Sequence, residues 1–282
     1  MISKLFRVLC LGFRTNRLGI LGLFLIMSIV VVAIFAPLIA PYSPTKRDQT
    51  QRLLPPSLNH LFGTDVAGRD IFSRVVYGAR ISLQASLIVI IIAVFIGMLI
   101  GCISGFFGGL LDEVVMRLTD IFLAFPGMIL AMAVNAALGP GIGSAIIAVS
   151  ITWWPSYARM VRGQVMSAKN EVYVEAARAL GSPTWRILIK HILPNCIAPI
   201  IVQATLDAGA VLLTISGLSY IGLGAQPPTP EWGAMVNEGK SYILSQWWWP
   251  TFPGLAICWL VVGFNLVGDL VRDILDPQLR RH

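Results

Sequence analysis

The chain has 282 residues, of which 56% are hydrophobic and only 12% charged, and its mean hydropathy is +0.76. Soluble domains average about 45–50% apolar and about 25% charged residues, so an ordinary soluble protein is excluded and an integral membrane protein is expected. The formal charge of +7 does not point to nucleic acid, because the basic residues form no single patch and instead flank apolar runs, as membrane topology requires.

Taken in chain order, the first apolar run is 18–39, preceded by Lys4, Arg7, Arg14 and Arg17. It is longer than the roughly 7–15 residues of a signal-peptide core and lacks an Ala-x-Ala-like cleavage site, so it reads as a retained first span. A polar, Pro-containing segment follows at 46–80, read as an ordered external loop. Further runs near the ~20 residues that a crossing needs lie at 83–105, 118–138, 142–157 (continuing toward Val161), 197–224 and 250–271. The expected fold is therefore all-α, with six transmembrane helices. Within the second run Gly97, Gly101 and Gly105 recur every fourth residue, a spacing that permits close helix packing inside the subunit or against a partner. Pro126 and Pro155 mark expected bends, either fixed kinks or hinges. Asp207, inside the fifth run, is costly in a membrane; it lines a translocation path or bonds a neighbouring helix.

Six spans put both termini on one side. Lys4, Arg7, Arg14, Arg17, Arg117, Arg159, Arg162, Lys169, Arg178, Arg186, Lys190, Arg272, Arg280 and Arg281 then share that side, twice the number left for the other. The positive-inside rule makes that side cytoplasmic, with both termini and the 171–195 loop.

That loop reads EVYVEAARALGSPTWRILIKHILPN. A helix is expected over 171–180, with Val172, Ala176 and Ala179 on one face and Glu171, Glu175 and Arg178 on the other. Glu175 is within pairing reach of Arg178. Gly181 suits a helix C-terminus, Ser182 an N-cap and Pro183 a first helical position. The second helix sets Trp185, Leu188, Ile189 and Ile192 against Arg186 and Lys190, and Pro194 is expected to end it. The residues alone leave two roles open: an amphipathic element on the lipid surface, or a knob that docks into a soluble partner.

The same residues resemble the EAA motif of importer-type ABC permeases. Glu175, Ala176, Ala177, Gly181, Leu193 and Pro194 match it at the family spacing, and His191 stands where the general pattern has Ile. GTDVAGRDIFSR, DIFLAFPGMIL, GLSYIGLGAQPPTPEWGAMV and FNLVGDLVRDILDP are similar to the C-type permease subunit of the dipeptide/oligopeptide/nickel importers. The resemblance implies a MetI-like core over 81–282 with a coupling loop near 164–196, preceded by an N-terminal unit over 1–80. It further implies a B-type permease partner, two cytoplasmic ATPases holding ATP and Mg, and an external substrate-binding protein. Di- or oligopeptides are the first expected cargo, with nickel chelates and glutathione-like compounds as alternatives. In that scheme Glu175, Ala176, Ala177, Gly181, Leu193 and Pro194 form the ATPase-coupling site.

Other signatures are weaker. Cys10, Cys102, Cys196 and Cys258 are too dispersed for a metal or disulfide framework and read as small apolar residues. AMVNEGKS, at 234–241, has Ala where a phosphate-binding loop needs its first Gly. No catalytic constellation surrounds His60, His191 or His282, so no enzyme activity and no cofactor in this chain is expected. A stand-alone secondary transporter is the alternative of a different class. Trp232 and Trp247–Trp249 are expected in an aromatic belt at the external interface.

Overall fold

The computed structural model describes residues 17–275. Lys4, Arg7, Cys10, Arg14, Arg280, Arg281 and His282 lie outside them. The described residues are almost entirely helical, and their only β pairing is an isolated bridge between Thr64 and Asp70.

Helix α1 (Arg17–Ile34) and the short turn Ala36–Ile39 account for the first apolar run. Helix α2 (Ile71–Phe107) starts where the Asp70 carboxylate accepts the Ser73 N–H at 2.7 Å and stops at Gly108, whose φ is +67°. Its 37 residues span about 55 Å at 1.5 Å each, so residues 71–80, expected in a loop, are instead its first turns.

The third apolar run is not one helix. Helices α3 (Gly109–Ala124) and α4 (Gly127–Leu138) meet at 93°. Phe125 is extended, as the residue before a proline tends to be, and Pro126 then caps α4. Helix α5 (Ile142–Lys169) has the length to cross a membrane, but the Thr-Trp-Trp-Pro-Ser-Tyr run at 152–157 dilutes its apolar character. Four described helices are long and apolar enough to cross, or five if α3 and α4 form one bent span; the sequence suggests six.

The remaining elements are α6 (Val172–Ala179), α7 (Thr184–Ile221), α8 (Trp232–Gly239) and α9 (Trp248–Leu275). Helices α2 and α5 make the most extensive contact, and α7 links them to α9, which also packs on α1. The glycine stripe creates the first of these seams. A Cβ on Gly97 would sit 2.4 Å from Tyr157 Cβ, and one on Gly101 would sit 2.5 Å from the Ala158 carbonyl oxygen. A Cβ on Gly105 would sit 2.9 Å from the Arg162 carbonyl oxygen of α5. The stripe therefore serves packing within the subunit.

At the end opposite the 171–195 loop, a polar clamp joins the 46–70 segment, α2 and α8. Arg69 Nε pairs with Asp65 at 2.6 Å, and Arg69 and Arg74 both reach Glu238, at 2.8 and 3.1 Å. The Trp232 indole N–H adds a bond to the Val75 carbonyl at 2.9 Å. This explains why that irregular segment is ordered. It also corrects the aromatic belt: Trp232, Trp248 and Trp249 are core residues, and only Trp247 of the four is exposed.

Candidate functional site: the loop between α5 and α7

The chain leaves α5 at Lys169 and turns directly into α6. The packed face of α6 is Val174 and Ala177, and Val172, Ala176 and Ala179 are exposed. The reason is tertiary: the α5 end and Ile187 cover the stripe that contains positions 174 and 177. Val174, Ala177, Ile187 and Ile192 join Cys102 and Phe106 of α2 and Val161 and Val165 of α5 in one apolar cluster. The loop is thus fastened to the bundle along one side. Cys102 and Cys196 are buried in that cluster as apolar residues, and Cys258 is exposed.

Gly181 makes the sharp exit from α6. Its φ is +76°, its N–H bonds the Arg178 carbonyl at 2.9 Å, and the Ser182 N–H bonds the Ala177 carbonyl at 3.1 Å. These two bonds form a Schellman closure, which requires a left-handed residue at this position. No atom lies within 4 Å of a Cβ built on Gly181, so its need for glycine is conformational, not steric. Because Ser182 completes this closure, it is not the next N-cap. Pro183 holds that place in an extended conformation, and Thr184 is the first helical residue.

Pro194 does not end the second helix. The turn Leu188–Ile192 is π-helical, with the Leu193 N–H reaching back to the Leu188 carbonyl. In a regular α-helix the Pro194 ring would press on the carbonyl four residues earlier; the wider turn relieves that clash. The loop helix and the fifth apolar run are therefore one 38-residue helix, α7.

Of the sequence-predicted residues, Glu175, Ala176 and Gly181 are exposed on the loop, and so is Pro194. Ala177 is buried, and Leu193 is partly buried against the apolar cluster. No Glu175–Arg178 ion pair forms among the described residues. Large apolar side chains project outward around them: Leu180 is 85% exposed, Val172 78%, Trp185 58% and Ile189 56%. Trp185 and Ile189 thus face away from Ile192, with which the sequence had grouped them. Asp207 lies away from the loop, at the α5–α7 seam. It accepts hydrogen bonds from the Tyr157 hydroxyl at 2.8 Å and from the Gln203 amide at 2.9 Å.

Sequence reasoning missed the Asp65–Arg69–Arg74–Glu238 clamp. Its signal was available in the spacing of charges within GTDVAGRDIFSR, where Asp65 and Arg69 stand four apart. Its partner Glu238 lies far along the chain, and nothing local marks it as a buried acceptor.

Comparison with known proteins places the chain. The model of the family described as binding-protein-dependent transport system inner membrane component matches residues 93–281. A second, the N-terminal transmembrane domain of oligopeptide transport permease C, matches residues 6–56. The dipeptide transport system permease protein DppC of Alkalihalophilus pseudofirmus is 45% identical over 267 residues, covering 95% of this chain and 88% of that protein. The probable D,D-dipeptide transport system permease protein DdpC of Escherichia coli is 47% identical over 265 residues, covering 94% and 89%. A chain from an inward-facing structure of the MetNI methionine ABC transporter matches in fold at a TM-score of 0.55 and 20% identity, covering 71% of this chain and 96% of that one. The protein is accordingly a multi-pass membrane transport component rather than an enzyme, and it belongs to the binding-protein-dependent transport system inner membrane component family.

Proposed function

We propose that this chain is one permease half of an ATP-driven importer and moves di- or oligopeptides across the cytoplasmic membrane. The observation that carries the coupling part is the loop itself. One face of α6 is fastened to α2 and α5, Val172 of α6, Leu180 after it and Trp185 and Ile189 of α7 are left exposed, and α7 continues without interruption from the loop into the bundle. A push on the exposed face is transmitted along α7, whose hydrogen-bonded backbone is stiff. An element resting on lipid would need none of this continuity.

In this reading Glu175, Ala176, Ala177, Gly181, Leu193 and Pro194 form the coupling site for a separate cytoplasmic ATPase. ATP-driven closure of two such ATPases moves this loop and the equivalent loop of a B-type permease, and the paired permeases alternate access between the two sides. The twofold excess of basic residues on the loop side supports a cytoplasmic position for the loop and both termini. An external binding protein delivers the cargo. The names of the 45–47% identical relatives support a peptide-type substrate. Asp207 is the candidate pathway residue; with both carboxylate oxygens engaged by Tyr157 and Gln203, its first role is to tie α5 to α7.

The test is peptide uptake into vesicles carrying this chain with its co-purifying subunits. Uptake that requires both ATP and the binding protein is expected. Uptake by this chain alone, driven by an ion gradient, would replace the importer reading with a secondary transporter.

A further inference from the structure

An open cleft of about 280 Å³ lies beside α6. Gln164 and Ser167 line it from the last turns of α5, Glu171 and Tyr173 from the start of α6, and Asn195 from α7, with Ala168 between them. The Asn195 amide donates to the Tyr173 hydroxyl at 2.8 Å and to the His191 carbonyl at 2.9 Å. Both of its N–H groups are thereby used, and its Oδ1 is left as an acceptor.

Much of the remaining polar lining is unused. The Glu171 carboxylate enters no ion pair and no side-chain hydrogen bond among the described residues, and the side chains of Gln164 and Ser167 have no partner there. Lys169 is the nearest cation in sequence, but its ammonium turns inward, donating to the Phe106 carbonyl at 2.6 Å. Helix α5 ends at Lys169, so its last carbonyls and the negative end of its dipole lie at the cleft. The cleft therefore combines a free carboxylate as its one charged group, amide and hydroxyl groups that can accept or donate, a helix C-terminus and one aromatic ring.

A guanidinium is the complement of this set. It is planar and always charged, offers five N–H donors and no acceptor, and stacks on aromatic rings. We propose that the cleft receives an arginine side chain of the docked ATPase, with Glu171 as its counter-ion. The cleft is continuous with the exposed Val172 and Tyr173 at the rim of the docking face, which favours a protein side chain over a free solute. The proposal rests on the docking reading above and adds the chemistry of one contact.

The experiment uses the assembled complex, solubilised in mild detergent from its own membrane. Glu171→Gln keeps the shape of the cleft and removes its charge; Ser167→Trp fills the cleft from an exposed position. Neither residue supports the core, so both permeases should be recovered at wild-type amounts. Each variant is expected to retain about tenfold less ATPase, as loss of a charge-assisted contact implies. A photo-cross-linking residue at position 167 should capture an ATPase peptide that contains arginine. Wild-type ATPase retention in both variants, together with loss of ATPase in Gly181→Asp, would overturn the arginine contact and leave docking intact. Absence of any ATPase from the wild-type preparation would end both readings. Capture of lipid alone at position 167 would also overturn the proposal.

Discussion

At Gly181 a single torsion angle shapes the whole loop. A φ of +76° costs a residue with a Cβ about 1–2 kcal/mol, and asparagine pays least among the alternatives. Gly181→Asp is therefore expected to lower ATPase retention and uptake, and Gly181→Asn to preserve more of both. Equal, wild-type uptake in the two variants would remove Gly181 from the coupling site. Asp207 is the contrasting residue. Asp207→Asn keeps one acceptor and loses the charge, so a loss of about 1–2 kcal/mol in thermal stability is expected from the disturbed Tyr157 and Gln203 bonds. Uptake per assembled complex should hold. A variant that assembles fully but transports nothing would put Asp207 on the solute path. Glu231 gives a pH test. Burial raises its carboxyl above the usual range, against the pull of the Gly233 and Ala234 N–H groups that it caps. A folded-state value above the unfolded one means the proton is held more tightly in the folded protein. The associated stability is complete below the unfolded value and is lost as pH rises through the folded one. Thermal unfolding from about pH 4 upward should show this decline, and Glu231→Gln should remove it.

Between elements, two seams decide the architecture. Gly97→Val would drive a methyl-bearing Cβ into Tyr157 Cβ and the Trp154 carbonyl, at 2.4 and 2.8 Å. Neither can yield without separating α2 from α5, and overpacking of this kind costs about 1–3 kcal/mol or more. The expected result is a sharp fall in detergent-stable protein. At the far end, Glu238→Ala would leave Arg69 and Arg74, both almost wholly buried, with Asp65 as their one shared counter-ion. Breaking a buried ion pair from one side costs about 3–5 kcal/mol, so limited proteolysis should begin to cut the 46–70 segment. These seams differ in how legible they were. The four-residue glycine spacing announced a close helix contact, though not its partner, because spacing fixes a face and not what covers it. The four-residue spacing of Asp65 and Arg69 carried an unused signal for half of the clamp, and nothing local could supply Glu238. Pro126 marked a bend, and only the extended Phe125 made it a 93° break. Pro194 misled, because a π turn five residues long accommodates a proline that an α-helix would reject.

For the molecule as a whole, composition and apolar runs were enough to establish a helical membrane protein, and the loop motif was enough to suggest its family. The exact span count was less legible, since α5 carries Trp, Pro and Tyr in mid-run and α3–α4 bends sharply. The packed face of the loop was also hidden from local pattern: Val174 and Ala177 are buried by α2, α5 and Ile187, elements that no window on α6 contains. In the proposed reading these parts form one mechanical path, from the exposed apolar face of the loop through Gly181 and the π turn into α7 and on to its seams with α5 and α9. The most direct measurement of that path is affinity purification of this chain from its native membrane in mild detergent, with mass spectrometry of the proteins retained. The account predicts a second permease and one or two ATPases with the wild-type chain, and the permease without the ATPases when Gly181 is replaced by Asp. Recovery of the chain alone, folded and active in uptake without ATP, would contradict it.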